Sequence, residues 1–501
     1  MSQPGTAEFV IVGSGVAGQL VARELLAAGR DVLMLERGGL KPHAQQLADG
    51  VHELDIPTAK PNHEPAPGTQ DYPWAYVYGV GGTTQHWTGA TPRLLPEDFE
   101  MHSRFGVGRD WPFGYREVDP WYEEAEATLA VAGGRNPLIP RRKALPLPPH
   151  PFSPADKLVA AAVPKFYSFP SARPTRPVDG RPACCGSARC NLCPVDARFS
   201  ALQLYEREIK GKPGFTLRDR TVVSRLRTSG NRVTGLDCVT ADGKRFSLPA
   251  RNVVLCANGI ENAAILMRSD LGGGDVGRYL YDHDEVVLEF GLDRSAGAGI
   301  GTTLSTGMTY EYGTGDFRSK RAAFILTPYN PGIEVQELMA DELVNGRSGR
   351  SLREELQRYF DRTLIIVASG DDLPQRERFV SLSPTKDSLG IPLNRVHYAG
   401  PTAYYDAGLQ AVREGLEQRF ARYGAKLHAH RGSARGGHLI GTCRMGERDG
   451  VVDPELRHHK LANLHVAGSS AFPAYSAAHP TLTLSALAIR LGRHLTGQVR
   501  Q

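Results

Sequence analysis

No stretch of this chain stays apolar long enough to cross a bilayer as a helix, so a membrane-spanning bundle is excluded. Charge of one sign is not massed either: the formal net charge is +5 over 501 residues and Lys and Arg are scattered, so nucleic acid is not an expected partner. Internal repeats and low-complexity tracts are absent, which removes solenoids and disordered arrays. The N-terminus runs almost at once into an apolar strand pattern and leaves no room for a secretory signal. The expected compartment is the cytoplasm, although export bound to a partner subunit would leave no mark on this chain. Cysteine is scarce, with seven residues in all. What is present in quantity is apolar sequence, 41% of the chain, enough for a large core divided into two or three structural domains.

The first motif is "EFVIVGSGVAGQLVARELLAAGRDVLMLERG". An apolar run, Phe9 to Val12, leads into Gly13, Gly15 and Gly18 in the G-x-G-x-x-G spacing. A helical pattern follows, then a second apolar run, Val32 to Leu35, ending in Glu36. Each glycine meets a physical need. Gly13 permits the tight turn, Gly15 lets backbone approach a pyrophosphate, and Gly18 lets helix and strand pack closely. Glu36 is positioned to accept hydrogen bonds from a ribose. Strand, glycines, helix, strand and acid in this order predict a dinucleotide site, without distinguishing FAD from NAD.

The second motif is "CCGSARCNLCPVDARFS", which holds Cys184, Cys185, Cys190 and Cys193. Thiolates spaced C-x4-C-x2-C-P suit an iron-sulfur cluster better than zinc, which usually takes paired C-x2-C knuckles. A zinc site, a vicinal Cys184–Cys185 disulfide and plain reduced thiols stay open as alternatives. Cys238, Cys256 and Cys443 read as small core residues.

The third motif lies in the last quarter. "GGHLIGTCRMG" and "NLHVAGSSAFPAYSAAHPTLT" put His438 and His479 each among glycines and small residues, the surroundings of an exposed imidazole able to move a proton near neutral pH. His479 opens "PTLTLSALAIRLGRHL", which predicts a turn running into a helix.

Between these motifs the chain is uneven. Asn136 to Pro154 is proline-dense and reads as an extended surface connection. A mixed-charge helix is expected over Leu202 to Lys210, then hairpins from Phe215 with turns at Gly230-Asn231 and Asp242-Gly243. Val253 to Ala257 reads as a buried parallel strand, and Ile260 to Met267 as a helix. From about residue 285, the runs "EVVLEF", "TTLSTGMTYEY", "AAFILTP", "TLIIVAS" and "RFVSLS" surround one long polar helical stretch, Ile333 to Asp361. That pattern predicts an antiparallel sheet with helices on one side.

The glycine fingerprint, "GVGGTTQHWTGATPR", "VGRYLYDH", "GGHLIGTCRMG" and "AGSSAFPAYSAAHPTLT" together resemble the glucose-methanol-choline family of FAD oxidoreductases. Within it, "GVGRDWPFGYREVDPWYEEAE" is most similar to the pyranose 2-oxidases and to the large subunits of sugar and sugar-acid dehydrogenases. The resemblance implies an α/β (α+β) fold: a Rossmann-like FAD-binding domain with a parallel sheet, plus a substrate domain of antiparallel sheet covered by helices. The expected division is 1–135 FAD-binding, 136–183 proline-rich connection, 184–284 cysteine loop and FAD-binding, 285–424 substrate-binding, and 425–501 FAD-binding with both motif histidines.

It further implies FAD as cofactor, held by Gly13, Gly15, Gly18, Glu36, Gly79, Gly81, Gly82, Thr83, His86, Val223, Gly468, Ser469, Pro480 and Thr481. A covalent flavin bond at His86 is implied by the pyranose 2-oxidases but not by every relative with a similar "HW". His438 matches the family's proton-accepting histidine and His479 the second ligand of the substrate hydroxyl. The sugar dehydrogenase subunits carry a three-iron four-sulfur cluster on a loop like Cys184 to Cys193, although their last two cysteines stand one residue further apart. The implied reaction is oxidation of a hydroxyl of a sugar, glycoside or aminoglycoside-type alcohol. With a cluster, electrons leave toward an acceptor protein or quinone; without one, oxygen or a soluble acceptor takes them. Asp282, Asp284, Glu285, Asp371 and Asp372 read as a solvated acidic face or as partners for a cationic amino sugar. Competing readings are a cyanohydrin-cleaving lyase that keeps FAD for structure, and a non-catalytic flavin-binding subunit.

Overall fold

The computed structural model describes residues 7–49, 62–67, 69, 74, 76–297, 301, 303–330, 335–432 and 437–498. The glycine fingerprint folds as its pattern dictates. Strand β1 (Phe9–Val12) runs into helix α1 (Val16–Ala27) and then strand β2 (Val32–Leu35). Gly15 caps α1 in an extended conformation, and the helix ends at Ala28, where Gly29 turns left-handed at φ 72°. Leu20, Val21 and Leu25 of α1 are fully buried, each worth roughly 1.5–3 kcal/mol relative to exposure.

Strand β3 (Phe215–Arg218), strand β4 (Asn252–Leu255) with helix α2 (Asn258–Arg268), and strand β5 (Leu464–Val466) complete the layer. The sheet order is β5-β4-β1-β2-β3, with every pair parallel. The last helix, α3 (Thr481–Leu495), packs on α1. The hairpin prediction is met by a meander of Thr221–Ser229, Arg232–Thr240 and Arg245–Pro249, with Gly230 and Gly243 at positive φ in its turns.

The second layer is a six-stranded antiparallel sheet in the order Lys426–Gly432, Val286–Gly291, Thr363–Gly370, Phe324–Tyr329, Gly307–Thr309, Phe166–Ser168. Its two-residue period sorts side chains. Leu288, Phe290, Leu364, Ile366, Phe324 and Leu326 face a core shared with Val412, Leu416 and Phe420 of the helix Ala403–Phe420. Their neighbours Val287, Ile365, Val367 and Tyr329 line a cavity on the other face. A one-residue slip would exchange the two sets, so the register is tightly specified.

Several elements differ from the sequence expectation. The long polar helix is two helices, Val335–Val344 and Gly349–Arg362, because Gly346 takes φ 82° and Ser348 starts a new helix; Ile333 and Glu334 lie outside the described residues. The "RFVSLS" run pairs instead with Pro392–His397, which in turn pairs with His63–Pro65, in a separate three-stranded sheet. The antiparallel sheet recruits Phe166–Ser168 at one edge and Lys426–Gly432 at the other, so it reaches beyond residues 285–424. The proline-dense connection has no regular element before Ser153, but it is not only surface: Ile139 and Leu147 are buried.

Candidate active site

A cavity of about 630 Å³ lies between the two layers. Its floor begins at the turn after β1. Gly13 sits at φ 101°, where a Cβ would stand 2.4 Å from the carbonyl oxygen of Cys256. A Cβ on Gly15 would meet nothing within 4 Å, so this residue opens onto free space. The first turn of α1 has neither a capping side chain nor an acidic residue, leaving its N–H groups and positive dipole end directed at the floor. This is the physical form of a pyrophosphate cradle.

Glu36, on the same wall, accepts from the N–H and hydroxyl of Ser14 at 2.9 and 2.7 Å and from the N–H groups of Gly38 and Gly79 at 2.8 and 3.1 Å. Burial raises its carboxyl above the ordinary value and these donors act against the rise. Gly82, Thr83, His86, Val223, Gly468, Ser469, Pro480 and Thr481 also line the cavity. Gly18, Gly79 and Gly81 do not: they shape the walls from behind. A Cβ on Gly18 would lie 2.1 Å from the Gly13 carbonyl oxygen, one on Gly81 2.8 Å from the Leu202 nitrogen, and Gly79 gives its N–H to Glu36. His86 follows the tight turn Gly82–Gln85, and burial, then the nearby Arg198 charge, holds its imidazole down to about 4.

The polar end of the cavity is made by imidazoles from distant segments. Tyr281 and Ile440 exchange backbone hydrogen bonds at 3.0 and 2.9 Å as an isolated antiparallel bridge. Two residues out along each arm, His283 and His438 therefore meet, with their Nδ1 atoms 3.0 Å apart. Asp282, buried, fixes the corner: its Oδ1 accepts the N–H groups of both His283 and His438 at 2.8 Å. His283 Nε2 lies 2.6 Å from the Ser476 carbonyl oxygen. The rings of His438 and His479 meet edge to face at 5.1 Å.

His479 Nε2 stands 3.5 Å from Glu285 Oε1, which also accepts from Ser369 Oγ at 2.8 Å. His479 Nδ1 is buried without a partner among the described residues. Burial acts to raise Glu285, but His479 and Ser369 hold its carboxyl at about 2. Burial and the neighbouring imidazoles keep His438 well below the usual histidine range. Asp282, His283 and His438 lie close because they bond to one another.

The structure brings together on one cavity His438 and His479, both singled out from sequence, His283, which was not, and Glu285, which was read only among the acids. The signal was "YDHDE", which reads as solvated acids. The structure corrects that reading: Asp282, Asp371 and Asp372 are buried, and the last two are consumed by Arg318 and Arg378 at 2.8 and 2.7 Å.

The cysteine loop reaches the cavity wall through Asn191, while its four cysteines stand back from the lining. All seven cysteines are thiols, so no vicinal disulfide forms. Cys190 and Cys193 are buried, Cys184 partly so, and Cys185 is exposed. Cys190 Sγ accepts from Arg173 at 3.5 Å and Cys193 Sγ from the Ala197 N–H at 3.3 Å. Among the described residues no three of these sulfurs lie within 4.8 Å of one another, whereas a tetrahedral zinc with bonds of about 2.3 Å demands that closeness. Cys184, Cys190 and Cys193 do lie within electrostatic reach of one another and of Arg173. Arg198, beside Cys190 and Cys193, donates to the backbone carbonyls of Thr84 and Gln85 and so ties the loop to the turn that carries His86. Cys238, Cys256 and Cys443 are buried, with Cys256 under the Gly13 turn.

Family profiles described as GMC oxidoreductase match residues 8–285 and 374–488. The chain is 31% identical over 546 positions to the fructose dehydrogenase large subunit of Gluconobacter japonicus, covering 99% of both chains. It is 29% identical to 6'''-hydroxyparomomycin C oxidase of Streptomyces lividus, covering 99% of this chain and 93% of that one. Among solved structures it is similar to pyridoxine 4-oxidase from Mesorbium loti, with a TM-score of 0.67, 20% identity, and 99% and 100% of the two chains covered.

Proposed function

The chain belongs to the GMC oxidoreductase family, and we propose that it oxidises a hydroxyl-bearing carbon of a sugar or sugar-derived alcohol, with FAD as hydride acceptor and His438 as base. The observation that carries this reading is that His438 and His479 open onto the same cavity as the Gly13–Gly15 turn. The residues fit FAD: the uncapped start of α1 and the space above Gly15 suit its pyrophosphate, and one continuous cavity links that end to the imidazoles. Bound there, the flavin supplies a two-electron acceptor for hydride.

The chain supplies the rest. His438 takes the hydroxyl proton, which it can do because burial keeps the ring neutral, with a nitrogen lone pair to accept it. His479, held by Glu285 through Nε2, has an unpartnered Nδ1 that, when it carries a proton, donates to the same hydroxyl oxygen. Val287, Ile365 and Val367 present an apolar wall that excludes water from the reacting carbon. A neutral sugar and an amino sugar both suit this reading, as the two named relatives suggest.

Anaerobic bleaching of bound flavin by fructose, gluconate, paromamine and an aryl alcohol tests it. One of these should reduce the flavin, and His438→Ala should slow that reduction by about a hundredfold to ten-thousandfold while retaining FAD. Wild-type bleaching by the variant would remove His438 as base. A protein that holds FAD yet is bleached by none of these, and instead cleaves a cyanohydrin, would be a lyase.

Two finer points belong to the same reading. His86 on the cavity wall is the residue for a covalent flavin bond; yellow colour left in the supernatant after acid precipitation rules that bond out. Cys190 and Cys193, with Cys184 or with Cys185, from which the C-x4-C-x2-C spacing runs, would hold an iron-sulfur cluster that passes single electrons to a partner protein or quinone, with Arg173 and Arg198 offsetting thiolate charge. Iron and labile sulfide below one atom per chain in anaerobically purified protein would remove the cluster and leave oxygen or a soluble acceptor.

A further inference from the structure

Two ring nitrogens cannot both donate or both accept across a single hydrogen bond, and the pair His283–His438 is joined by such a bond at 3.0 Å between Nδ1 atoms. Which ring donates is decided one step away. His283 Nε2 lies 2.6 Å from the Ser476 carbonyl oxygen, which can only accept, so the proton of His283 is on Nε2. His283 is 2% exposed, and burial followed by the charge of His479 holds its imidazole down to about 4, so near neutral pH the ring carries one proton. Its Nδ1 is then a lone pair, and His438 must donate its own Nδ1–H.

We propose that His283 is a positioning residue that fixes the tautomer of His438, holding the proton on Nδ1 and leaving the Nε2 lone pair for the substrate hydroxyl. This rests on His438 being the base, and it explains how that base is kept in the productive form. A histidine side chain free in water prefers its proton on Nε2, the tautomer that blocks the lone pair needed here. The relay is anchored at its far end: Ser476 Oγ donates to Asp98 at 2.7 Å and accepts the Ala478 N–H at 3.0 Å, so the carbonyl that selects the tautomer is immobilised. At the near end, Asp282 holds the N–H groups of both histidines.

Protonating His283 would reverse the relay: its new Nδ1–H would claim the His438 Nδ1 lone pair and drive the remaining His438 proton to Nε2. The groups that bear on this step are Asp282 and Glu285 on the same segment, His438 from the facing arm of the bridge, and His479 from the segment ahead of α3.

The test uses the flavin-loaded protein labelled with ¹⁵N-histidine, together with His283→Phe and His283→Gln. Long-range ¹H–¹⁵N spectra, with His438 assigned by its own substitution, should show the Nδ1–H form in the wild type and a shift toward Nε2–H in His283→Phe. His283→Gln keeps one donor and one acceptor and should restore the Nδ1–H form. With whichever probe alcohol bleaches the flavin, the limiting bleaching rate should fall about tenfold in His283→Phe, the worth of one neutral hydrogen bond, at unchanged substrate Kd, and recover in His283→Gln. An Nε2–H tautomer for His438 in the wild type overturns the proposal, as does a His283→Phe variant with unaltered tautomer and rate. If His438→Ala abolishes bleaching while His283→Phe bleaches normally, the positioning role falls and the base stands. If His438→Ala bleaches normally, the base itself falls.

Discussion

The floor of the cavity is built from backbone and its polar end from side chains, and the two obey different rules. At the Gly13–Gly18 turn, atoms approach so closely that added carbon has no room at Gly13 or Gly18, and what faces the cavity is N–H groups at a helix start. At the other end, His283, His438, His479 and Glu285 are fixed through hydrogen bonds whose direction depends on protonation. The glycine turn is therefore sensitive to size and carries no titrating side chain of its own, while the imidazole end is sensitive to pH.

The largest effect should come from the floor. Gly18→Val would put carbon within 2.1 Å of the Gly13 carbonyl oxygen inside the β1–α1 contact, where backbone cannot yield. No folded, flavin-loaded protein is expected; a soluble yellow variant with a wild-type melting temperature would show that the turn is looser than this contact implies.

The pH rule is checked next, by thermal melts between pH 7.5 and 4. Burial keeps His283 near 4, whereas an unfolded histidine titrates at about 6.5. As pH falls below that, the unfolded chain takes up the proton first, so stability present at neutral pH is lost as pH drops toward 4, by roughly 3 kcal/mol for His283 alone. His86 and His150, also held near 4 by burial first, add in the same direction. Glu285 continues the loss below its usual carboxyl range, since its folded value is about 2. A melting temperature flat across this window would mean that the buried imidazoles are hydrated in solution.

How much of this was legible from sequence follows the same division. The floor was readable because its constraints are local: glycine spacing, a strand on each side and an acid at the end of β2 act within a span from Phe9 to Glu36. His438 and His479 were readable from their small-residue surroundings. His283 was not, because its place beside His438 is created by a bridge between Tyr281 and Ile440, far apart in the chain. The break in the polar helix was missed although Asn345-Gly346 is a turn signal of the kind read at Asp242-Gly243, and Gly346 takes the left-handed backbone that such a turn needs. The edge strand Phe166–Ser168 was hidden in a proline-dense context and is recruited by a partner strand, Gly307–Thr309, distant in sequence.

A smaller effect separates charge from shape at the polar end. Glu285→Gln is nearly isosteric and keeps an acceptor for Ser369, but removes the charge facing His479. The limiting rate of flavin bleaching should fall about tenfold, in line with one charge-assisted hydrogen bond becoming a neutral one, with FAD content unchanged. Loss of FAD instead would mean that this end also holds the cofactor, and the division between floor and polar end would have to be redrawn.

The smallest change in stability should come from the one floor glycine that meets nothing. Gly15 caps α1 in an extended conformation open to any residue, and a Cβ there contacts no protein atom within 4 Å. Gly15→Ala should cost the fold no more than about 1 kcal/mol, the ordinary difference between a favourable and an unfavourable N-cap. That methyl nevertheless projects over the uncapped N–H groups of α1, where backbone must come close to a pyrophosphate. A melting temperature within a few degrees of wild type, combined with loss of most of the flavin on purification, is the expected pairing. A variant that keeps both would mean the diphosphate lies elsewhere along the wall, with Gly15 serving only to start the helix.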